Sequence, residues 1–249
     1  MDTMKNEIGD GYLPLSNYLE KVDVTNFKRN QSGFNYAVEH SICDAMCDLG
    51  RSWLQGIKDT NMLTLEQINK LLELNDKIGN GYKTDKISNE IQECNPNSLK
   101  YIYMGLLVIK QLKLNKFNDF VEIGGGYGGQ CLILLKLFEL FDIDIKNYIL
   151  IDLDNVSRFQ EKYLTAHGVN SKCKFLTYGE YSEYDWDSNN YLFSCYSFNE
   201  VTPKVRQNYY DNLFPYISHG SFIWPTTQSK FERDHQTLSL GKTGRFIYF

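Results

Sequence analysis

Beyond Asn118 the chain alternates between two hydrophobic periods. Short apolar runs sit at Asp119–Ile123, Tyr148–Asp152, Lys174–Thr177, Tyr191–Tyr196 and Ser221–Trp224, and each reads as a strand. Between them the apolar residues recur at helical spacing: from the glycines after Ile123 to Phe141, from about Val156 to Ala166, and from Thr202-Pro203 to about Phe214. Thr202 is placed as an N-cap with proline at the first helical position. Pro225 to Phe249 fits a short helix and then a hairpin, with strands Gln236–Leu240 and Arg245–Phe249 and a turn at Gly241-Lys242-Thr243-Gly244. Such alternation predicts an α/β fold, a mostly parallel sheet covered on both faces.

Upstream, residues 1–115 read as helices and loops. Thr64 and Gln67 make a capping-box pair, Ile68, Leu71, Leu72 and Ile78 follow at helical spacing, and Gly79 stands where a helix ends. A second helix starts after Ser98, with Leu99, Ile102, Leu106 and Ile109 as one apolar stripe. Residues 79–97 read as a long exposed connection able to act as a lid. The change of pattern divides the chain into an N-terminal helical cap or lid, 1–115, and an α/β domain, 116–249.

Composition narrows the classes. The 249 residues carry a net charge of -5, which disfavours a phosphate-neutralising surface and hence bulk nucleic acid as partner. No apolar run approaches the ~20 residues of a membrane span, so no membrane insertion is expected. Met1 to Tyr12 lacks a basic stretch followed by an apolar core, so the N-terminus is not read as a signal peptide and a cytoplasmic site of action is expected. Six scattered cysteines read as reduced thiols. Homo-oligomerisation is left open.

The sharpest feature is Phe120-Val121-Glu122-Ile123-Gly124-Gly125-Gly126-Tyr127-Gly128-Gly129, an apolar strand running through a glycine cluster into an apolar helix. Five glycines in six residues exceed what a plain turn needs and suit a backbone that bends with positive φ close to a ligand. Gly124, Gly126 and Gly129 also satisfy the G-x-G-x-x-G spacing of a dinucleotide site. A carboxylate under the loop, Glu122, disfavours a diphosphate and suits a cofactor with an amino group and a sulfonium. Glu122 therefore tilts the reading toward S-adenosylmethionine. At the end of the second strand, Asp152 is the candidate acceptor for ribose hydroxyls in either cofactor class, and Asp154 a weaker one.

These residues resemble the sugar O-methyltransferases. The resemblance rests on Glu122 to Gly129, on Tyr148-Ile149-Leu150-Ile151-Asp152-Leu153-Asp154, on Gln160-Glu161-Lys162-Tyr163-Leu164 and on Tyr196-Ser197-Phe198-Asn199-Glu200-Val201, with Asn97 to Tyr103 upstream. It implies a Rossmann-like class I methyltransferase sheet, five parallel strands plus a C-terminal hairpin, after an N-terminal helical segment. It also implies S-adenosylmethionine as donor (S-adenosylhomocysteine as product) and a sugar hydroxyl as acceptor. By position, Glu122, Gly124, Gly125, Gly126, Tyr127 and Gly128 would line the methionine end, Asp152 would hold the ribose, and Leu153, Thr177 and Tyr178 would flank the adenine.

Ligands of open α/β sheets lie beyond the carboxyl ends of the strands. Ser197-Phe198-Asn199-Glu200 follows strand four there, with Ser197 counted among the cofactor contacts. A sugar hydroxyl is a poor nucleophile, so a general base helps. Glu200 is the first choice for base or acceptor anchor, Asn199 its orienter and His235 the second choice. His167 and His219 precede strands three and five, at the opposite edge, and His40 belongs to the N-terminal helices. Trp224 to Thr227 is a candidate acceptor wall and Tyr127 a candidate gate. His40, Cys43 and Cys47 share a helical spacing but lack a fourth ligand, and the acidic run Glu180 to Asp187 reads as a solvated loop. No metal is therefore assigned. The competing readings are an NAD(P)-dependent oxidoreductase using the same loop and a catalytically inactive S-adenosylmethionine-binding protein.

Overall fold

The computed structural model describes residues 13–29, 44–112, 116–224, 236–239 and 245–248. Within them, helices α1 (Leu13–Lys21), α2 (Asp44–Thr60), α3 (Leu65–Asp76) and α4 (Pro96–Leu112) precede the first strand. Then come β1 (Asp119–Ile123), α5 (Gly129–Leu140), β2 (Asn147–Asp152), α6 (Asp154–Ala166), β3 (Cys173–Thr177), β4 (Asn190–Cys195), α7 (Pro203–Asn212), β5 (Ile217–Trp224), β6 (Gln236–Ser239) and β7 (Arg245–Tyr248). The strands form one sheet in the order β3-β2-β1-β4-β5-β7-β6. β1 to β5 run parallel, and β7 lies antiparallel to both β5 and β6. This is the expected Rossmann-like arrangement, five parallel strands closed by a hairpin.

Side chains alternate across the sheet as a period of two requires. Phe120, Tyr148, Leu150, Tyr191, Phe193 and Phe246 enter one buried cluster. Val121, Ile123, Ile149, Ile151, Leu192, Phe222 and Ile247 enter another on the opposite face. The first cluster also takes in α5, α6 and buried residues of α2, α3 and α4, so the pattern boundary near residue 115 does not separate two cores.

Local chemistry sets the helix starts. The capping box at α3 forms as the spacing predicts: Gln67 N–H donates to the Thr64 hydroxyl, and Thr64 N–H donates to Gln67 Oε1. Thr202 caps α7 by accepting from Val205 N–H, with Pro203 in the first turn.

Several expectations need correction. β5 begins at Ile217, four residues early, because a register shift between Asn190 and Tyr191 lets Ile217 to Gly220 pair with β4. His219 therefore lies inside β5, near its N-terminal end, where it packs edge-on against Phe117. α6 starts at Asp154 and α7 ends at Asn212, followed by a 3-10 turn at Phe214–Tyr216. α4 is buried over most of its circumference, since Tyr101, Met104, Gly105, Leu107 and Val108 are buried beside the expected stripe, while Lys100 and Tyr103 are half-buried and Lys110 is exposed. Residues 79–97 are no loose lid: Ile87, Ile91 and Cys94 are buried, and Thr84 pairs with Cys94 in an antiparallel bridge. The expected short helix after Pro225, the hairpin turn at 241–244, His40, Cys43 and the wall residues Pro225 to Thr227 lie outside the described residues.

Candidate functional site

β1 is buried along its length and ends in the glycine loop. Gly124, Gly126 and Gly128 have φ of +74°, +56° and +97°, the left-handed region where a Cβ is strained. The bend is closed by Gly124 N–H donating to Ile151 O at 3.0 Å and Gly128 N–H donating to Gly125 O at 3.0 Å. The three glycines differ in surroundings. A Cβ on Gly124 would stand 1.7 Å from Ser197 Oγ, and one on Gly125 would stand 2.6 Å from Leu150 Cδ2. A Cβ on Gly126 would meet nothing within 4 Å, so the loop presents bare backbone to open space there.

Asp152, half-buried at the end of β2, organises the loop from below. Its carboxylate accepts from Leu153 N–H at 2.9 Å and from Gln160 Nε2 at 2.9 Å. Gln160 also donates to Gly126 O at 2.8 Å and so ties α6 to both. Burial pushes the Asp152 carboxyl up to about 7, against the lowering effect of these donors and of the nearby amides of Gly126 and Gly125. A diphosphate on the loop amides would meet this carboxyl beside them. Sequence reasoning missed Gln160 as a site residue, although it falls within a stretch carrying the family resemblance.

Glu122 lies beneath the loop and is 1% exposed. Its Oε2 accepts from the Tyr148 hydroxyl at 2.7 Å, and burial pushes its carboxyl up to about 8. It stands 3.3 Å from the Cβ position of Gly125, so it supports the bend from the buried side.

Tyr127 does not gate the crevice. Its side chain is buried among Phe27, Tyr101 and Tyr163, at ring separations of 4.9, 6.1 and 5.2 Å. The apolar environment built by α4, α6 and the segment after α1 draws the ring inward, and only its backbone remains with the loop. Lys28 is buried beside it, its Nζ 5.0 Å from the Tyr127 ring and donating to Asn75 O at 2.5 Å. Burial pushes this ammonium down to about 8.

The ends of β1 to β4 bring most of the remaining residues to one rim. Leu153, Thr177, Tyr178, Ser197 and Asn199 are half-buried there, and Glu200 is exposed. Tyr178 N–H donates to Asp152 O at 2.9 Å, which draws the end of β3 against the end of β2. Tyr196 has φ +64°, a left-handed conformation for a bulky residue, and it turns the chain so that Ser197 abuts Gly124. Glu200 N–H donates to Ser197 O at 3.0 Å, folding Ser197 to Glu200 into a tight turn. Asn199 Oδ1 is buried with no hydrogen-bond donor. An orphaned acceptor in the turn that begins at Ser197 suits a ligand that brings its own donor.

His235 lies outside the described residues. His167 caps the C-terminus of α6, ahead of β3, and burial pushes its imidazole down to about 4. In the acidic run, Glu180 Oε2 accepts from Thr177 N–H and Asp187 pairs with Lys146. Among the described residues no three His, Cys, Asp or Glu side chains gather as a metal site, and no helix is long and apolar enough to cross a membrane.

No protein-family model matches the chain, and no curated protein matches it. Solved structures similar to it include a SAM-dependent methyltransferase from Aquifex aeolicus, 13% identical over 59% of this chain and 89% of its own, with a TM-score of 0.45. The mitomycin 7-O-methyltransferase MmcR is 13% identical over 80% of this chain and 66% of its own, with a TM-score of 0.43. PigF, solved with SAH, is 10% identical over 62% of this chain, which spans 58% of it, with a TM-score of 0.41. Likenesses this remote do not bear on the chemistry, and the site has to be read from its own residues.

Proposed function

We propose that the chain is an S-adenosylmethionine-dependent methyltransferase that methylates a sugar hydroxyl. One observation carries the donor: the Asp152 carboxyl stands by the amides of Gly125 and Gly126, which favour its charged form. A carboxyl in that place opposes a diphosphate and suits a cationic amino-acid cofactor. The open backbone at Gly126 and the orphaned Asn199 Oδ1 fit the same guest. Gly124 to Gly128 and Ser197 hold the methionine end, Asp152 the ribose, and Leu153, Thr177 and Tyr178 the adenine. Asp152 reaches ribose hydroxyls by exchanging one of its internal donors.

When bound, S-adenosylmethionine supplies an electrophilic methyl group on sulfur for an in-line displacement. The chain's own contribution is alignment and proton removal. The turn from Ser197 to Glu200 holds the acceptor next to the loop. Glu200 takes the hydroxyl proton, Asn199 orients the acceptor, and His235 is the alternative base. The sugar assignment follows from the sequence resemblance.

Calorimetric titration tests the donor. Heat is expected with S-adenosylhomocysteine and none with NAD(P); the reverse result overturns the reading. For the acceptor, a panel of glycosides and nucleotide sugars is assayed for methyl transfer with the wild type and Glu200→Ala. Removing a general base is expected to lower kcat about 10²- to 10⁴-fold with cofactor affinity unchanged.

A further inference from the structure

A buried cation with no part in the proposed chemistry lies behind the glycine loop. After α1 the chain makes a 3-10 turn, Phe27–Arg29, and Lys28 of that turn is 5% exposed. Its Nζ lies 5.0 Å from the ring of Tyr127, 5.5 Å from that of Tyr163 and 5.6 Å from that of Phe27, so three rings cage one ammonium. It donates to Asn75 O, and among the described residues no carboxylate stands within ion-pair distance of it. Asp76, the neighbour of Asn75, is engaged elsewhere: it accepts from the Ser98 hydroxyl at 2.6 Å and from Asn95 N–H at 2.8 Å. A buried cation without a counter-charge costs stability, and a methionine of similar length would fill the same space without that cost. Packing alone gives no reason for the charge.

The cage is joined to the loop at two points. Tyr127 belongs to the loop and stands between Gly126 and Gly128, whose φ are +56° and +97°. Tyr163, from α6, packs on the loop's exit, its Cδ1 3.3 Å from the Cβ position of Gly128. Asn75, near the end of α3, gathers the same groups. Its Oδ1 accepts from the Tyr163 hydroxyl at 3.2 Å, and its Nδ2 donates to Ser98 Oγ at 2.7 Å and lies 3.5 Å from the Tyr127 hydroxyl. A Tyr127 side chain drawn inward obliges the backbone on either side to bow outward, and two left-handed glycines supply that bow. At Gly126 the bowed backbone meets open space.

We infer that Lys28 is a positioning residue for the cofactor loop: its ammonium draws the Tyr127 ring inward, with Tyr163 closing the cage, and so keeps Gly126 to Gly128 bowed toward the ligand. The inference goes beyond the methyltransferase reading, because it gives the turn after α1 a task in shaping a loop that it precedes by four helices and a strand.

Lys28→Met removes the charge and keeps the length. Full-length wild type and variant are compared at pH 7, below the value of about 8 to which burial pushes the ammonium. The readings are titration with S-adenosylhomocysteine, thermal melting and amide hydrogen exchange. The variant is expected to melt at the wild-type temperature or higher and to bind about tenfold more weakly. Its exchange should quicken about tenfold at residues 124–129, while β2 and β4 keep their wild-type rates. Combined with Tyr127→Leu, which takes away the ring that Lys28 acts through, the substitution should have little further effect on the loop. Wild-type affinity or wild-type loop exchange in Lys28→Met overturns the inference. So does a variant that fails to fold or exchanges faster throughout the sheet, since the charge would then serve the fold as a whole. A full second loss in the Tyr127→Leu background overturns the route through that ring. If the wild type does not bind S-adenosylhomocysteine, the methyltransferase reading falls, and the exchange comparison alone decides the role of Lys28.

Discussion

The two faces of the sheet are covered by very different amounts of protein. On one face the aromatic residues Phe120, Tyr148, Tyr191, Phe193 and Phe246 meet α5 and α6, which are themselves backed by α2, α3 and α4. On the other, the mostly aliphatic residues Val121, Ile123, Ile149, Ile151 and Leu192 meet one helix, α7 with its Tyr209, and rings supplied by short connections: Tyr181, Trp186 and Phe198. Between β3 and β4 on that side the described chain makes only a 3-10 turn at Tyr181–Glu183. Rings on the sheet pack against Phe138 and the aliphatic residues of α5, and aliphatic strands face rings from α7 and the connections, so both interfaces fill space. The difference is depth. The thick face fixes the strands, and the thin face leaves their carboxyl ends uncrowded where the crevice forms.

The largest effect that would sharpen this contrast is a cavity on the thick side. Phe120→Ala empties a site whose ring packs on Phe138, Tyr148, Tyr191 and Phe193, and it should cost about 3–5 kcal/mol in urea unfolding. Val205→Ala, in the single helix of the thin side, should cost only about 1–2 kcal/mol. Equal losses would show that the second helical layer adds nothing to the grip on the sheet.

Next in size is the join between loop and β4. Gly124→Ala drives a methyl group into Ser197 and should weaken S-adenosylhomocysteine binding by about one to two orders of magnitude. Adding Ser197→Gly removes the colliding atoms and should restore part of the loss, leaving the strain of φ +74°. No recovery in the double variant would mean that the two residues do not share this space in solution.

The thick side should also carry a pH signature. Glu122 and Asp152 both project toward it, and their carboxyls are pushed up to about 8 and about 7. In the ligand-free protein each native group keeps a proton that the unfolded chain releases at the ordinary 4.5 of a glutamate or 3.8 of an aspartate. Stability is therefore complete below those values and declines as pH rises, through 7 for Asp152 and through 8 for Glu122. Glu122→Gln should abolish the decline between pH 7 and 8 while keeping part of it at lower pH. Calorimetric melts from pH 4 to pH 9 would show it, and an unchanged slope in the variant would contradict a protonated Glu122.

How much of this was legible beforehand depends on how local each cause is. Strand alternation, the capping box at Thr64 and the bend at Gly124 are set by neighbours in sequence, and they were readable. The inward turn of Tyr127 was not, because it depends on Phe27 and Tyr101, far away along the chain. Gln160 carried a family resemblance without a role, since its partners Asp152 and Gly126 meet it only when α6 packs on the sheet. α4 showed one stripe to the eye, but α2, α3 and α5 around it bury most of the rest.

That enclosure of α4 has a consequence for synthesis. The ribosome releases this seventeen-residue helix before α5, its partner on the sheet side, exists to receive it. Until α5 has emerged, one side of it has no native neighbour, and the nascent chain exposes a greasy rod to other chains. A truncated transcript ending soon after Leu112 should therefore aggregate or recruit a chaperone, and the interval most sensitive to translation speed runs from Leu112 to Leu140.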